Sequence, residues 1–387
     1  MKTKFLFLTI LCLFSMMVQA NDGVVFVQGN QLVPLKETDI SVAKEVLTIS
    51  IGDDGYAKVD VQYEFMNHGK AKTVEMGFEA EAPYNDEAQM NTQGKHPYIY
   101  DFTVTMNDKP LTYKNSVILS YGEDKMNFEP LDLKKWKVAD DIGLHLVRYS
   151  KTDSIMPFAY AYYFTAPFKE GINKIHHTYR YRLSYGVGRT FEVPYWLKPA
   201  MRWANRQIDD FTLRIKAEKT AKHFCFSDSL FAAAPFKVVD GMGKMRKVVR
   251  PYDGEYLEVA LRNGTLEWHV KNFVPRANLM ISAADLLSSF SETEKLGTFY
   301  DRSDKYRMWS FDGKKKDGRI LRNLPYANRG YVFKDKWLND YFNQLWWYMP
   351  DPTWKASSSD FTPREWKLIR EGSKSKKKVR RRRSIRK

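Results

Sequence analysis

Between Ala57 and Phe65 the side chains alternate without a break, with Ala57, Val59, Val61, Tyr63 and Phe65 set against Lys58, Asp60, Gln62 and Glu64. In an extended chain a period of two places the first set on one face and the second on the other, which marks a strand with one buried side. The pattern recurs at Val74, Met76 and Phe78, at Phe102, Val104 and Met106, and at Phe211, Leu213 and Ile215. Its longest form sets Ile175, His177, Tyr179, Tyr181, Leu183 and Tyr185 against His176, Thr178, Arg180 and Arg182. Asn107 to Pro110 and Lys169 to Asn173 read as turns, and residues 84–96 as a long polar loop. Asn263-Gly264 lies between apolar runs at 256–261 and 266–270 and predicts a hairpin turn, because both residue types tolerate positive φ. Short strands at this spacing predict a mainly β chain, with β-sandwich-like domains at 21–143 and 144–285. Residues 286–318 lose the pattern, are rich in Ser, Asp and Lys, and read as a linker.

The period then changes. Pro325 suits the first turn of a helix and Gly330 its left-handed end. Asp335 is placed to cap a second helix whose face is Trp337, Leu338, Tyr341, Phe342 and Leu345, with Pro350 and Pro352 beyond it. Thr362, Pro363 and Glu365 form a capping box, and Phe361 and Trp366 a hydrophobic staple. Residues 319–372 therefore predict a small α-helical module. Its aromatic row, including Trp346 and Trp347, is expected mainly as the module's core, since a small unit needs large side chains to bury enough area. Rings left exposed would instead stack on a glycan or a peptide. Tyr326, Arg329, Tyr331, Trp346 and Trp347 are the candidate contacts there.

Tyr326-Ala327-Asn328-Arg329-Gly330-Tyr331-Val332-Phe333, followed by Leu338, Tyr341-Phe342 and Trp347-Tyr348-x-Pro350, resembles the YARHG domain of exported bacterial proteins. Asn328-Arg329 stands where the family has Arg-His, so no acid–base role for a family histidine carries over. A second resemblance spans about residues 21–282. It rests on Gly23-Val24-Val25-Phe26, the Ile40 to Ile49 strand, and Val61-x-Tyr63-x-Phe65-x-Asn67. Trp203 with Ile208-Asp209-Asp210-Phe211, and Trp268 with Asn272-Phe273-x-Pro275, complete it. These are similar to an exported, β-rich bacterial family of unknown function. Together the resemblances imply export and a β body, and bring no catalytic residues with them.

The two ends of the chain agree with export. Lys2 and Lys4 precede an apolar run from Phe5 to Val18, and Val18-Gln19-Ala20 supplies the small residues of a cleavage site, so residues 1–20 read as a signal peptide. The run is too short for a membrane span, and no later segment has the length of one. Leu11 before Cys12 is too bulky for a lipoprotein cleavage box, which leaves a soluble mature protein as the expectation. Of the sixteen net positive charges, ten fall in residues 373–387 and two on Lys2 and Lys4, leaving about four for the body. Such a tail, with Lys376, Lys377, Arg380, Arg381 and Arg382 at its centre, repels itself and is expected to be disordered alone. Outside the cytoplasm its expected partner is anionic envelope lipid or polysaccharide rather than nucleic acid. A solubilising tail with no dedicated partner is the alternative.

No His-Glu-x-x-His, Gly-x-Ser-x-Gly, phosphate-cradling glycine loop or cysteine–histidine zinc spacing is present, so no metal or cofactor is expected. On a strand, His176 and His177 point to opposite faces and cannot grip one ion together. Asp209-Asp210 could offer a carboxylate to acid–base chemistry, but strand entry is the commoner role of such a pair. Cys225 is the one cysteine outside the signal peptide, sits among aromatics and reads as a buried thiol. A triad assembled from distant positions stays open. The expectation is a non-catalytic binding or scaffold protein, periplasmic or extracellular. The alternative is a hydrolase of envelope polymer or peptide with its site between the β-domains.

Overall fold

The computed structural model describes residues 32–373 except 36–37, 85–88, 122–127, 187–188, 218–221, 251–253, 284–298, 303–304, 309–314, 364, 367–368 and 371–372. The expected signal peptide and the basic tail from Lys374 lie outside the described residues. The alternating segments are strands. β1 (Val33–Pro34), β2 (Ile40–Ile51), β3 (Tyr56–Asn67), β4 (Lys72–Glu81), β5 (Ile99–Met106), β6 (Lys109–Pro110) and β7 (Tyr113–Leu119) come first. β8 (Trp136–Ala139), β9 (Gly143–Tyr149), β10 (Ile155–Phe168), β11 (Gly171–Arg182), β12 (Ser184–Gly186) and β13 (Arg189–Tyr195) follow. Then come β14 (Ile208–Ala217), β15 (Lys222–Ser227), β16 (Lys237–Arg250), β17 (Gly254–Phe273) and β18 (Leu279–Ala283). A small hairpin, β19 (Phe299–Arg302) and β20 (Lys305–Met308), precedes helices α1 (Lys315–Asn328) and α2 (Lys336–Asn343). No helix among the described residues is long and apolar enough to cross a membrane.

The strands form two large sheets. One holds β1-β4-β10-β9-β8, with β7 also on β10. The other runs β12-β13-β18-β15-β17-β14-β2-β3-β11-β5-β6, with β16 along β17. Their inner faces share one core, from Leu32 and Ile40 through Phe78, Tyr162 and Tyr195 to Trp268 and Ile281. Sheet and core pass through residue 143, where the sequence suggested a domain boundary. β11 pairs with β3 and β5, and β14 pairs in parallel with β2. Alternation specifies which face of a strand is buried, not which strand lies beside it, so partners can come from either half.

Several local readings hold. The two-residue turn from β5 into β6 passes through Asn107 and Asp108 at φ 49° and 64°, the left-handed pair that such a hairpin needs. His177 is buried, whereas His176 on the other face of β11 has its Nε2 3.1 Å from an Asp60 carboxylate oxygen. Cys225 is buried.

Three readings are corrected. Asn263-Gly264 is no hairpin turn, because β17 runs straight through it for twenty residues. Gly264 (φ +103°) lies opposite Gly241 (φ +72°), and a Cβ on Gly264 would sit 1.8 Å from the Asp240 carbonyl oxygen. The positive φ that Asn-Gly permits is used for a bulge at the point where β17 exchanges β15 for β14 as neighbour. Pro325 does not open a helix but sits inside α1, which begins ten residues earlier. An interior proline costs about 3 kcal/mol. The face Ile320, Leu321, Leu324 and Ala327 is buried, at about 1.5–3 kcal/mol for each large aliphatic side chain, which exceeds that cost. Within 286–318, read as linker, the described residues include β19, β20 and the start of α1.

Candidate binding site at the seam of sheet and helices

The helical module is assembled from strong local signals. Asp335 caps α2, its Oδ1 accepting from Leu338 N at 3.1 Å. Thr362 and Glu365 form the capping box, with Glu365 N donating to Thr362 Oγ1 and Thr362 N to Glu365 Oε2. Phe361 packs on Trp366 with centroids 5.2 Å apart, completing the staple. The chain is helical at each described position from Pro363 onward.

Arg329 joins these pieces. Its Nη1 and Nη2 meet the two Glu365 oxygens at 2.6 and 2.8 Å, and Nη1 also donates to the Pro325 carbonyl. Nη2 donates to the Asp360 carbonyl as well, and the guanidinium lies 4.7 Å above the Phe361 ring. The side chain is 8% exposed. Such a fork-to-fork pair, closed on all sides, fastens the last helix to the end of α1.

The module rests on the outer face of β15, β17 and β16. In register across these strands stand His223, Ala260 and Lys244, and next to them Cys225, Glu258 and Arg246. Each of the long residues has a task. Lys244 Nζ donates to the Tyr348 carbonyl at 2.8 Å, and Arg246 covers the Trp346 ring at 4.7 Å while bonded to Glu258. His223 meets Trp347 edge-on at 5.2 Å, and Ala260 joins the module's apolar cluster. Arg262 reaches deepest. It donates to the Met349 carbonyl at 2.9 Å and the Arg329 carbonyl at 3.3 Å, and pairs with Asp351 at 3.1 Å. Gly330, at φ +81°, passes over it; a Cβ there would lie 2.0 Å from Arg262 Nη1. The glycine closing the Tyr326–Gly330 motif is thus required by this close approach as well as by its backbone angle. Beside the seam opens a cleft of ≈ 400 Å³, lined by Val238, Gly241, Met242, Gly243 and Lys244 of β16 and by Met349 and Pro350.

The candidate contacts read from the sequence fall out as follows. Trp347 is buried, and Trp346 is half-buried beneath Arg246. Tyr326 and Tyr331 are half-buried and pack on each other, on Phe361 and on Phe333. Trp337, also half-buried, is capped by Arg319 at 4.9 Å. The row is therefore largely core; of its half-buried tryptophans, 337 and 346 carry guanidinium groups of the same chain, and 354 and 366 rest edge-on against Phe361. Arg329, read as a contact at the module's surface, is committed inward. Lys376, Lys377, Arg380, Arg381 and Arg382 lie outside the described residues. Arg262, His223, Lys244 and Arg246 were not singled out, because only the register of three strands brings them under the module.

Titratable groups elsewhere are mostly explained by burial. His96, His177 and His223 are all pushed down to about 3 by desolvation. His177 lies nearly parallel between Tyr63 and Tyr179, 5.7 and 5.8 Å from them, with neither ring nitrogen hydrogen-bonded. Desolvation and the nearby Glu81 raise Glu79 to about 8. Asp209 accepts from Asn205 and Gln207, and Asp210 from His269 and Lys271, which ties both into strand entry. No cluster of His, Cys, Asp and Glu suited to a metal occurs among the described residues. The interior where a hydrolase site was considered is occupied by packed rings, including Phe65 on Trp203 at 4.4 Å and Phe78 on Tyr179 at 4.9 Å.

The model of the YARHG domain matches residues 308–376. That of a domain of unknown function, DUF4424, matches residues 20–127, a shorter span than the resemblance read from the sequence. No curated protein matches the chain. Among solved structures, a Legionella pneumophila protein described as a candidate nutrient-binding protein aligns over 92% of this chain and 100% of its own, at 20% identity and a TM-score of 0.46. An M1 zinc metallopeptidase from Deinococcus radiodurans aligns over 75% of this chain and 54% of its own, at 9% identity and 0.28. Baculovirus P35 aligns over 64% and 98%, at 11% identity and 0.27. Likeness at this level identifies neither a ligand nor a reaction.

Proposed function

We propose that this chain is an exported binding protein of the bacterial envelope or exterior, in which the β body carries the helical module as a fixed attachment and the basic tail makes the contact. The supporting observation is that most of the module's aromatic rings are buried, packed on one another, or covered by Arg246 and Arg319. Stacking on Trp337 or Trp346 would have to displace those arginines, whereas the ten basic residues of 373–387 carry most of the chain's net charge. Attraction to an anionic surface is worth about 1 kcal/mol per basic residue and weakens with salt. Anionic lipid or acidic polysaccharide of the envelope is the partner class this favours.

The test compares the mature chain with one ending at Ser373, sedimented with phosphatidylglycerol vesicles and with phosphatidylcholine vesicles. Binding confined to the anionic vesicles, lost in high salt and lost with the tail, is the expected result. Equal retention of the shortened chain would overturn the tail's role. Preferential release by DNA over an acidic polysaccharide would redirect the reading to nucleic acid.

A further inference from the structure

β16 lies along the outside of β17, and among the described residues it pairs with no other strand. Exposed edges invite further pairing, and bulges and charges are the usual protection. The first half of β16 is protected in this way, with breaks in register at Val238/Asp240 and Met242/Gly243. From Gly243 to Arg250 the register against β17 is unbroken, opposite Leu261 to Gly254. Along that half Val249 is 76% exposed, and Lys244 and Lys247 are exposed as well. β16 contains five basic residues and one acid, Asp240, and none of the acid lies in the unbroken half.

This basic strand already takes carboxylates from beside it. Glu258, directly across on β17, holds Arg246 at 2.8 Å, and Asp228 holds Lys247 at 2.5 Å. The seam also holds the strand in place, through Lys244 on the Tyr348 carbonyl and Arg246 on Trp346. A pre-ordered edge loses less freedom on binding.

We infer that the free edge of Gly243–Arg250 accepts an extended acidic segment of another polypeptide, which adds to the sheet as its next strand. Backbone pairing supplies the affinity, and acids at alternate positions supply the choice of partner. A second copy of β16 is the wrong occupant, since it would bring like charges face to face. This site is separate from the tail and goes beyond the envelope-binding reading.

The test uses the full mature chain and labelled peptides of about eight residues, the length of the unbroken edge. One alternates Val and Glu, one alternates Val and Lys, and one is the Val–Glu peptide with a central proline. Saturable binding of the Val–Glu peptide alone, with slowed amide exchange confined to 243–250, is expected. Lys247→Ala should weaken it about twofold, towards the lower end for an exposed charge pair, because Asp228 already shares that cation. The proposal is overturned if the Val–Glu peptide does not bind, or if protection falls outside 243–250. Equal binding of the proline or Val–Lys peptide overturns it too, because neither strand pairing nor acidity would then matter.

Discussion

The interior of the sandwich and the seam beneath the helical module are both well packed, yet they are built on opposite terms. Inside, rings meet rings, and even a histidine is held neutral between two tyrosines with its nitrogens unbonded. At the seam, long cations from two strands, Lys244 of β16 and Arg262 of β17, reach across to backbone carbonyls and one carboxylate of the module. The interior joins the two halves of the body into one unit by area. The seam fixes a small attachment in one orientation by direction, because a guanidinium donates only along its plane.

The largest effect is expected in the interior. Trp268 is fully buried and its Nε1 donates to the Ala234 carbonyl at 2.8 Å. Trp268→Ala should cost about 3–5 kcal/mol in urea unfolding. The loss should lower the exchange protection of strands on both sides of residue 143 together. Destabilisation confined to one side would show that the shared core is not cooperative.

Acid acts on both regions. His96 and His177 in the body and His223 at the seam titrate near 3 when folded, against an ordinary 6.5. The unfolded chain therefore binds protons first as pH falls through 6.5, and each histidine withdraws up to about 1.4 kcal/mol per pH unit until about 3. Glu79 has the reverse sign. Raised from 4.5 to about 8, it contributes most below 4.5 and that contribution is lost as pH rises to 8. Between 4.5 and 6.5 the three histidines outweigh the one acid, with a net loss of about 3 kcal/mol per unit of acidification. These four groups place the stability maximum near pH 6.5. His177→Phe should flatten the acid limb for the whole body, and His223→Gln should flatten it for the module alone, as read by tryptophan fluorescence and amide exchange. A limb unchanged by both variants would remove His177 and His223 from the account.

The smallest effect belongs to the seam. Arg262→Met keeps the stem and removes bonds to two carbonyls and Asp351, which should cost about 2 kcal/mol. It should speed amide exchange in α1 and α2 and leave the interior strands unchanged. Equal loss of protection in β2 and β3 would mean that the module and the body do not differ as described.

Much of this was legible residue by residue. Asp335, the Thr362–Glu365 box and the Phe361–Trp366 staple are contacts between neighbours in sequence, and the inward faces of β3 and β11 follow from alternation alone. Arg329 could be picked out but not understood, since Glu365 lies thirty-six residues away. Asn263-Gly264 and Pro325 carried true local information, a tolerance for positive φ and a missing N–H. Each permits more than one structure.

By itself the sequence determined the period of each segment, and with it which side chains turn inward, where helices are capped and where the chain can bend backward. These are short-range consequences of sterics and of hydrogen bonds spanning a few residues. Which strands are neighbours, why β17 continues through its bulge, and how Arg262, Lys244, Arg246 and His223 come to lie under one small module were decided only by the tertiary structure. A face can be buried against any complementary face, and only the complete set of pairings selects one.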